Sequence, residues 1–285
     1  MKNTVLLLAA AVWTLHASAQ DHPTLAHPES LNSDGHFLYA TNIGKTGDPA
    51  ARDGDGFISK LSLDGKMITP SITGEVLNAP KGTAIIKGTL YVADLDRIVG
   101  IDLASGKKTA EVDLSDYHTN FANDLTVKDD HTLFVSLMDV GKILEVNLSN
   151  GKTTPVIDLK GANGLHYDKA TKHLYACNFL FENIAGGEIG VVSWQGEKPV
   201  YEKIGDIHGG FDGLEQLDEH TLVVSDWVAM GSAAGIVEKI DLRSKTATKI
   251  AMPLIAGPAD FYLDAKKKRL FIPVMLDSKV LIHSL

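Results

Sequence analysis

The chain has 285 residues, 44% hydrophobic and 22% charged, an ordinary globular composition long enough for a large core. Its net charge of -9 argues against nucleic acid as a partner, because such binders carry basic patches, and is compatible with cation binding. The single cysteine, Cys177, excludes an internal disulfide, so stability has to come from the core.

In chain order, the first segment reads as an export signal. Residues 1–19 carry a basic start at Lys2, an apolar run from Val5 to about Leu15, and small residues before Gln20. Cleavage is expected after Ala19, leaving 20–285 as one exported domain, periplasmic or secreted. The apolar run is too short to span a bilayer, and no cysteine follows it, so no membrane anchor is expected.

From residue 35 onward, six short β-type runs recur: GHFLYATN, GTLYVADL, HTLFVSLM, KHLYACNF, HTLVVSDW and KRLFIPVM. Each is followed by a second strand pattern, from GFISKLSLDGK after the first to SKVLIHSL after the last. Dipeptides such as Asp64-Gly65 and Asn150-Gly151 mark the turns between them. Ahead of each run sits a further short strand pattern. The equivalent places in the six repeats hold Glu29, Lys81, Asn123, Asn163, Asp212 and Asp260, which lie 52, 42, 40, 49 and 48 residues apart in turn. Three or four strands, repeated six times at this spacing, predict an all-β fold, a six-bladed β-propeller with a central channel. The last repeat ends after three strands, so an N-terminal strand within 20–28 is expected to complete that blade and close the ring.

In a propeller the first strand of each blade lines the channel, so these six residues are expected to meet around the axis. Carboxylate and amide oxygens without His or Cys suit a hard cation, Ca²⁺ first, with Zn²⁺, Mg²⁺ or Mn²⁺ as alternatives. The glycines after Asn163 and Asp212 leave room for close backbone approach. Polar residues that merely form turns would explain one Asn-Gly or Asp-Gly pair, but not Glu29 and Lys81 at the equivalent places.

The stretches HPES, ANGLHYD, FDGLEQLD and FANDL resemble motifs of the SMP-30/gluconolactonase/luciferin-regenerating family across the mature chain. That resemblance implies a six-bladed propeller with one divalent cation held by Glu29, Asn163 and Asp212. It also implies hydrolysis of a lactone or ester, with Asp212 as ligand and base, and a substrate- or metal-binding role for Asn123. The chain departs from the family at Phe121, where the sugar lactonases carry an arginine, and at Ala162 and Phe211, which replace prolines. The sugar-recognition residue is therefore missing, while the metal triad is kept.

Two readings follow. In the first, the protein is a metal-dependent hydrolase of a small-molecule lactone or ester, with Asp212 as the catalytic base. In the second, it is a non-catalytic binding or scaffold propeller whose cation is structural. Lys81 could bind a substrate carboxylate, or it could pair with Glu29 or Asp260. Asp260 is expected to line the channel without touching metal. His118 and His208 precede inner strands and are candidate proton shuttles at the channel mouth. Asp226 and Trp227 follow a strand and could line a pocket or form a turn.

Several motifs carry no function. ARDGDGFISK mimics an EF-hand but has Ala51 and Ser62 at the first and last ligand positions. It reads as a hairpin loop, and Gly44–Ala51 before it is placed to overhang the channel. The two GKT triplets lack a preceding P-loop glycine, and no G-x-S-x-G elbow is present. Cys177 reads as a small buried hydrophobe.

Overall fold

The computed structural model describes residues 24–285; the predicted export signal lies outside them. Six antiparallel sheets follow one another along the chain, as the repeats predict. Blade 1 comprises β1 (Pro28–Ser33), β2 (Phe37–Asn42), β3 (Phe57–Ser62) and β4 (Met67–Thr69). Blade 2 comprises β5 (Pro80–Ile86), β6 (Thr89–Asp94), β7 (Arg97–Asp102) and β8 (Lys108–Asp113). Blade 3 comprises β9 (Ala122–Asp129), β10 (Thr132–Leu137), β11 (Lys142–Asn147) and β12 (Thr153–Asp158). Blade 4 comprises β13 (Ala162–Asp168), β14 (His173–Asn178), β15 (Ile189–Gln195) and β16 (Lys198–Lys203). Blade 5 comprises β17 (Phe211–Asp218), β18 (Thr221–Asp226), β19 (Ile236–Asp241) and β20 (Thr246–Lys249). Blade 6 comprises β21 (Tyr262–Asp264), β22 (Arg269–Val274) and β23 (Lys279–Ser284). The fold is therefore an all-β six-bladed propeller, and the six recurring runs are the second strands.

Alternation along these strands explains how the blades pack. Each second and third strand sends every other residue to one face, and those faces meet the neighbouring blade. Tyr39, Ile58 and Leu77 of the first repeat pack against Leu90, Val99 and Ile101 of the second. Phe211, Leu222 and Ile240 pack against Tyr175, Cys177 and Ile189 in the same way. Burying one such side chain is worth about 1.5–3 kcal/mol, so this inter-blade core accounts for stability without a disulfide.

Ring closure departs from expectation. Residues 24–27 form no strand, and 20–23 lie outside the described residues. The 24–27 segment is instead bonded to its own blade: Ala26 N donates to Asn42 Oδ1 at 2.9 Å, and Ile43 N donates to His27 O at 3.2 Å. Those bonds hold it beside β2, and His27 N also donates to Ser278 Oγ at 3.1 Å, next to the start of β23. Among the described residues the seam is closed at the inner strands. Leu31 N donates to Asp260 O at 3.2 Å, Asp260 N donates to Glu29 O at 2.9 Å, and Ser30 Oγ donates to Asp260 Oδ2 at 2.5 Å. Leu25, Leu31 and Leu38 pack on Phe271 across the same seam.

A bulge recurs where the first strand of each blade enters the channel. In β13, Ala162 pairs with Asn178 but Leu165 pairs with Ala176, so three steps on one strand oppose two on the other. The same extra residue falls between Pro80 and Thr83, between Ala122 and Leu125 and between Phe211 and Leu214. In blade 1 it falls at Glu29, between Pro28 and Ser30. In blade 6 it falls between the Pro258–Val274 bridge and the Tyr262–Phe271 pair. An extra residue kinks a strand and re-aims its side chains, and at each of these six places it falls at the residue singled out by the repeat.

Candidate functional site

Glu29, Lys81, Asn123, Asn163 and Asp212 are all buried, and Asp260 is partly so. Glu29, Asn123, Asn163 and Asp212 line one cavity of about 620 Å³, counted to its open mouth. Close packing of neighbouring first strands brings them there. A Cβ on Gly164 would sit 2.1 Å from Asp212 O, and one on Gly213 would sit 2.8 Å from the Cα of Asp260. Only glycine lets blades 4, 5 and 6 approach this closely at the axis.

The orientation of each donor is fixed. Trp227 Nε1 donates to Asp212 Oδ2 at 2.8 Å, leaving Oδ1. Asn163 Nδ2 donates to the carbonyl of Phe211 at 3.3 Å, which turns its amide oxygen the other way. Five side-chain oxygens among the described residues are buried without a hydrogen-bond partner; three are Glu29 Oε2, Asn163 Oδ1 and Asp212 Oδ1. A buried oxygen left unpaired costs about 1–3 kcal/mol. These three belong to separate blades, share one cavity and lack donors, so they fit a hard cation. No group of three or more His, Cys, Asp or Glu side chains is placed to hold a metal among the described residues. The set here is two carboxylates and an amide.

Burial also sets the charge states. Desolvation, reinforced by the nearby charge of Asp212 and opposed by Lys81, raises the Glu29 carboxyl well above its usual range. Desolvation pushes Asp212 up to about 7, against the hydrogen bond from Trp227 and the nearby Asn163 amide. A bound cation would reverse both shifts by favouring the ionised forms.

Lys81 forms neither pairing considered from the sequence. Its ammonium is fully buried, donates to Ala79 O at 2.9 Å and lies 4.4 Å above the centre of the Phe121 ring. Burial lowers it to about 8, with Glu29 opposing that shift. It does not line the cavity, so contact with a substrate carboxylate there has no support. Phe121 supplies the aromatic face that covers it.

Other candidates fall outside the cavity. Asp260 is engaged by Ser30 at the seam and lies off the cavity wall. His118 is exposed in a left-handed turn after a short 3₁₀ segment at Ser115–Tyr117. His208 is exposed beside Asp206 at 2.9 Å. Neither histidine lines the cavity. Asp226 is a turn former, accepting from Gly210 N and Val228 N at 2.8 Å each. The EF-hand-like stretch leads into β3, not a helix, while Gly47 and Pro49 before it do overhang the cavity. Cys177 is buried, and desolvation raises its thiol well above the usual value, so it is not poised as a nucleophile.

A second ring was not anticipated. The residue directly after each second strand is large and apolar: Ile43, Leu95, Met138, Phe179, Trp227 and Met275. All six pack in one cluster, and all but Leu95 line the cavity. An apolar collar therefore sits against the polar ring. Its signal was present in the sequence, at the end of each recurring run.

No protein-family model matches this chain, and no curated protein is similar to it. Solved structures do resemble it. Virginiamycin B lyase from Staphylococcus aureus has a TM-score of 0.58 and 16% identity, over 89% of this chain and 93% of that one. A protein of unknown function from Bacteroides thetaiotaomicron has a TM-score of 0.66 and 12% identity, over 92% and 70%. The tricorn protease has a TM-score of 0.55 and 15% identity, over 90% of this chain; the chain spans only 29% of that protease's length. These likenesses establish the propeller architecture. They leave the chemistry to the site. No helix among the described residues is long and apolar enough to cross a membrane.

Proposed function

We propose that the protein is an exported, metal-dependent hydrolase of a lactone or ester, of the SMP-30/gluconolactonase type. The observation that carries this reading is a set of three unpartnered buried oxygens, Glu29 Oε2, Asn163 Oδ1 and Asp212 Oδ1, on residues of three blades that line one open cavity. These residues would hold a divalent cation, Ca²⁺ first, which when bound supplies a Lewis acid for an ester carbonyl and the developing oxyanion. Asp212, as carboxylate, takes a proton from water while the water oxygen bonds to the acyl carbon. Cleavage of the acyl–oxygen bond releases an alkoxide, and Asp212 returns the proton to it. Trp227 keeps one Asp212 oxygen in place during this exchange, and Phe211 O holds the Asn163 amide. Asn123, on the cavity wall, positions the substrate. The collar excludes bulk water, which strengthens electrostatic contacts at the ring.

A structural-cation scaffold is the second reading. It is favoured by the origin of the donors in blades 1, 4 and 5, which a cation would tie together. Metal analysis by mass spectrometry on the chelator-free protein tests both. About one equivalent of a divalent ion, lost in Asp212→Ala, supports the site; lactone and ester turnover lost in the same variant supports the hydrolase. A bound ion with no turnover on such a panel points to the scaffold. No ion after Ca²⁺ or Zn²⁺ is offered rejects the metal site.

A further inference from the structure

We infer that the substrate carries an apolar body, alkyl or aryl, beside its ester or lactone group, and is not a polyhydroxylated ring. The inference rests on the hydrolase reading for the reacting group, but its own support is the cavity wall. Polar side chains occur at the ring: Glu29, Asn123, Asn163 and Asp212. Above them the collar offers carbon, sulfur and aromatic faces. The indole N–H of Trp227 is already given to Asp212, and the Lys81 ammonium is held by Ala79 O and covered by Phe121. A sugar's hydroxyls entering here would give up water without finding partners, at a cost of about an order of magnitude in binding for each.

Aromatic contacts continue from the ring to the surface. Trp227 packs edge-on against Phe179 at 6.1 Å, Phe179 against Phe181 at 5.1 Å, and Phe181 against Phe121 at 6.4 Å. Trp227 and Phe179 are 6% and 4% exposed, whereas Phe181 is 56% exposed. Met230 and Leu276, 48% and 39% exposed, complete the same rim from blades 5 and 6. Single exposed apolar residues are unremarked features of any surface. Three that converge from separate loops on one cavity mouth mark a binding patch. The occupant they fit is one small molecule, with its carbonyl at Asp212 and its apolar body along Phe179 and Phe181.

A series of γ-alkyl lactams, poor substrates but close mimics of lactones, tests this by calorimetry on the full mature chain. Affinity is expected to rise about fourfold per methylene added, the value for burying a CH₂, until the body clears the rim. Phe181→Ser and Met230→Ser are each expected to flatten that slope, with cation content by mass spectrometry unchanged. Affinity that does not depend on chain length overturns the inference. So does a hydroxylated sugar lactam that binds as tightly as the decyl compound. The two readings fail separately. A chain-length slope without ester turnover leaves the apolar site standing and removes the hydrolase. Turnover that favours sugar lactones leaves the hydrolase standing and removes the apolar body.

Discussion

Asp212 occupies two hydrogen-bonding worlds at once. One oxygen is held by an indole N–H and the other has no donor. Trp227 therefore holds Asp212, and through it would orient any cation Asp212 binds. Replacing it by Phe keeps the collar packed but frees the carboxylate to rotate. Loss of such a supporting contact typically costs 10–100-fold in metal affinity, and calorimetric Ca²⁺ titration of Trp227→Phe is expected to fall in that range. Lys81 acts in the opposite direction. Its positive charge opposes the desolvation of Glu29 and repels any cation that Glu29 would hold. Lys81→Met is expected to tighten Ca²⁺ binding by about fivefold, equivalent to ~1 kcal/mol of a partly screened charge pair. A weaker affinity in that variant would show that Lys81 is needed to shape the site.

At the scale of the strand, the bulges and glycines decide where the ring residues point. A Cβ at Gly164 would meet the backbone of blade 5 at 2.1 Å, and backbone cannot swing aside as a flexible side chain can. Gly164→Ala is expected to lower stability by about 1–3 kcal/mol and to lose the cation by separating Asn163 from Asp212. Gly74→Ala, with open space around it, is the matched control and is expected to be neutral; urea unfolding of both variants makes the comparison. This scale also shows what could be read from the chain alone. The six runs ending at Asn42, Leu95, Met138, Phe179, Trp227 and Met275 were legible because alternation and turn residues are local. Their sixfold recurrence at blade spacing pointed to the propeller, and the polar residue before each to the ring. Direction was not legible. That Trp227 meets Asp212, that Lys81 turns to Ala79 O, and that His118 and His208 face solvent depend on bulge register and loop path, which are set by contacts between blades. Among the described residues, 24–27 supply no closing strand, for a related reason. In 24–27 the bonds to Asn42, Ile43 and Gly44, with one contact from His27 N to Ser278 Oγ, take the place of a strand ladder on β23.

For the molecule as a whole, burying carboxyls at the axis links stability to pH. The unfolded chain loses the Asp212 proton near 3.8, whereas the folded, metal-free protein holds it to about 7. Between those values the folded state binds more protons, so its stability falls as pH rises. Below 3.8 the contribution is complete, and above about 7 it is gone. A shift of this size is worth a few kcal/mol. In the presence of chelator, the thermal midpoint is expected to drop between about pH 4 and 7. Saturating Ca²⁺ should remove or invert that drop, because cation binding selects the ionised carboxylates and releases their protons. A midpoint that ignores pH with chelator present would contradict the burial of these charges.

The seam gives the fold a latch. β1 carries Glu29, and the adjacent backbone bonds to Asp260 hold blade 1 to blade 6. Whatever clamps Glu29 from blades 4 and 5 therefore also restrains the one place where the circle is not covalently continuous. Amide protons of Leu31 and Asp260 should exchange with solvent through brief parting of that joint. Their exchange should slow in proportion to ion occupancy, while amides midway around the circle, such as Leu133 in β10, keep their rate. The propeller would then behave as a clasped bracelet, with the ion acting as its pin.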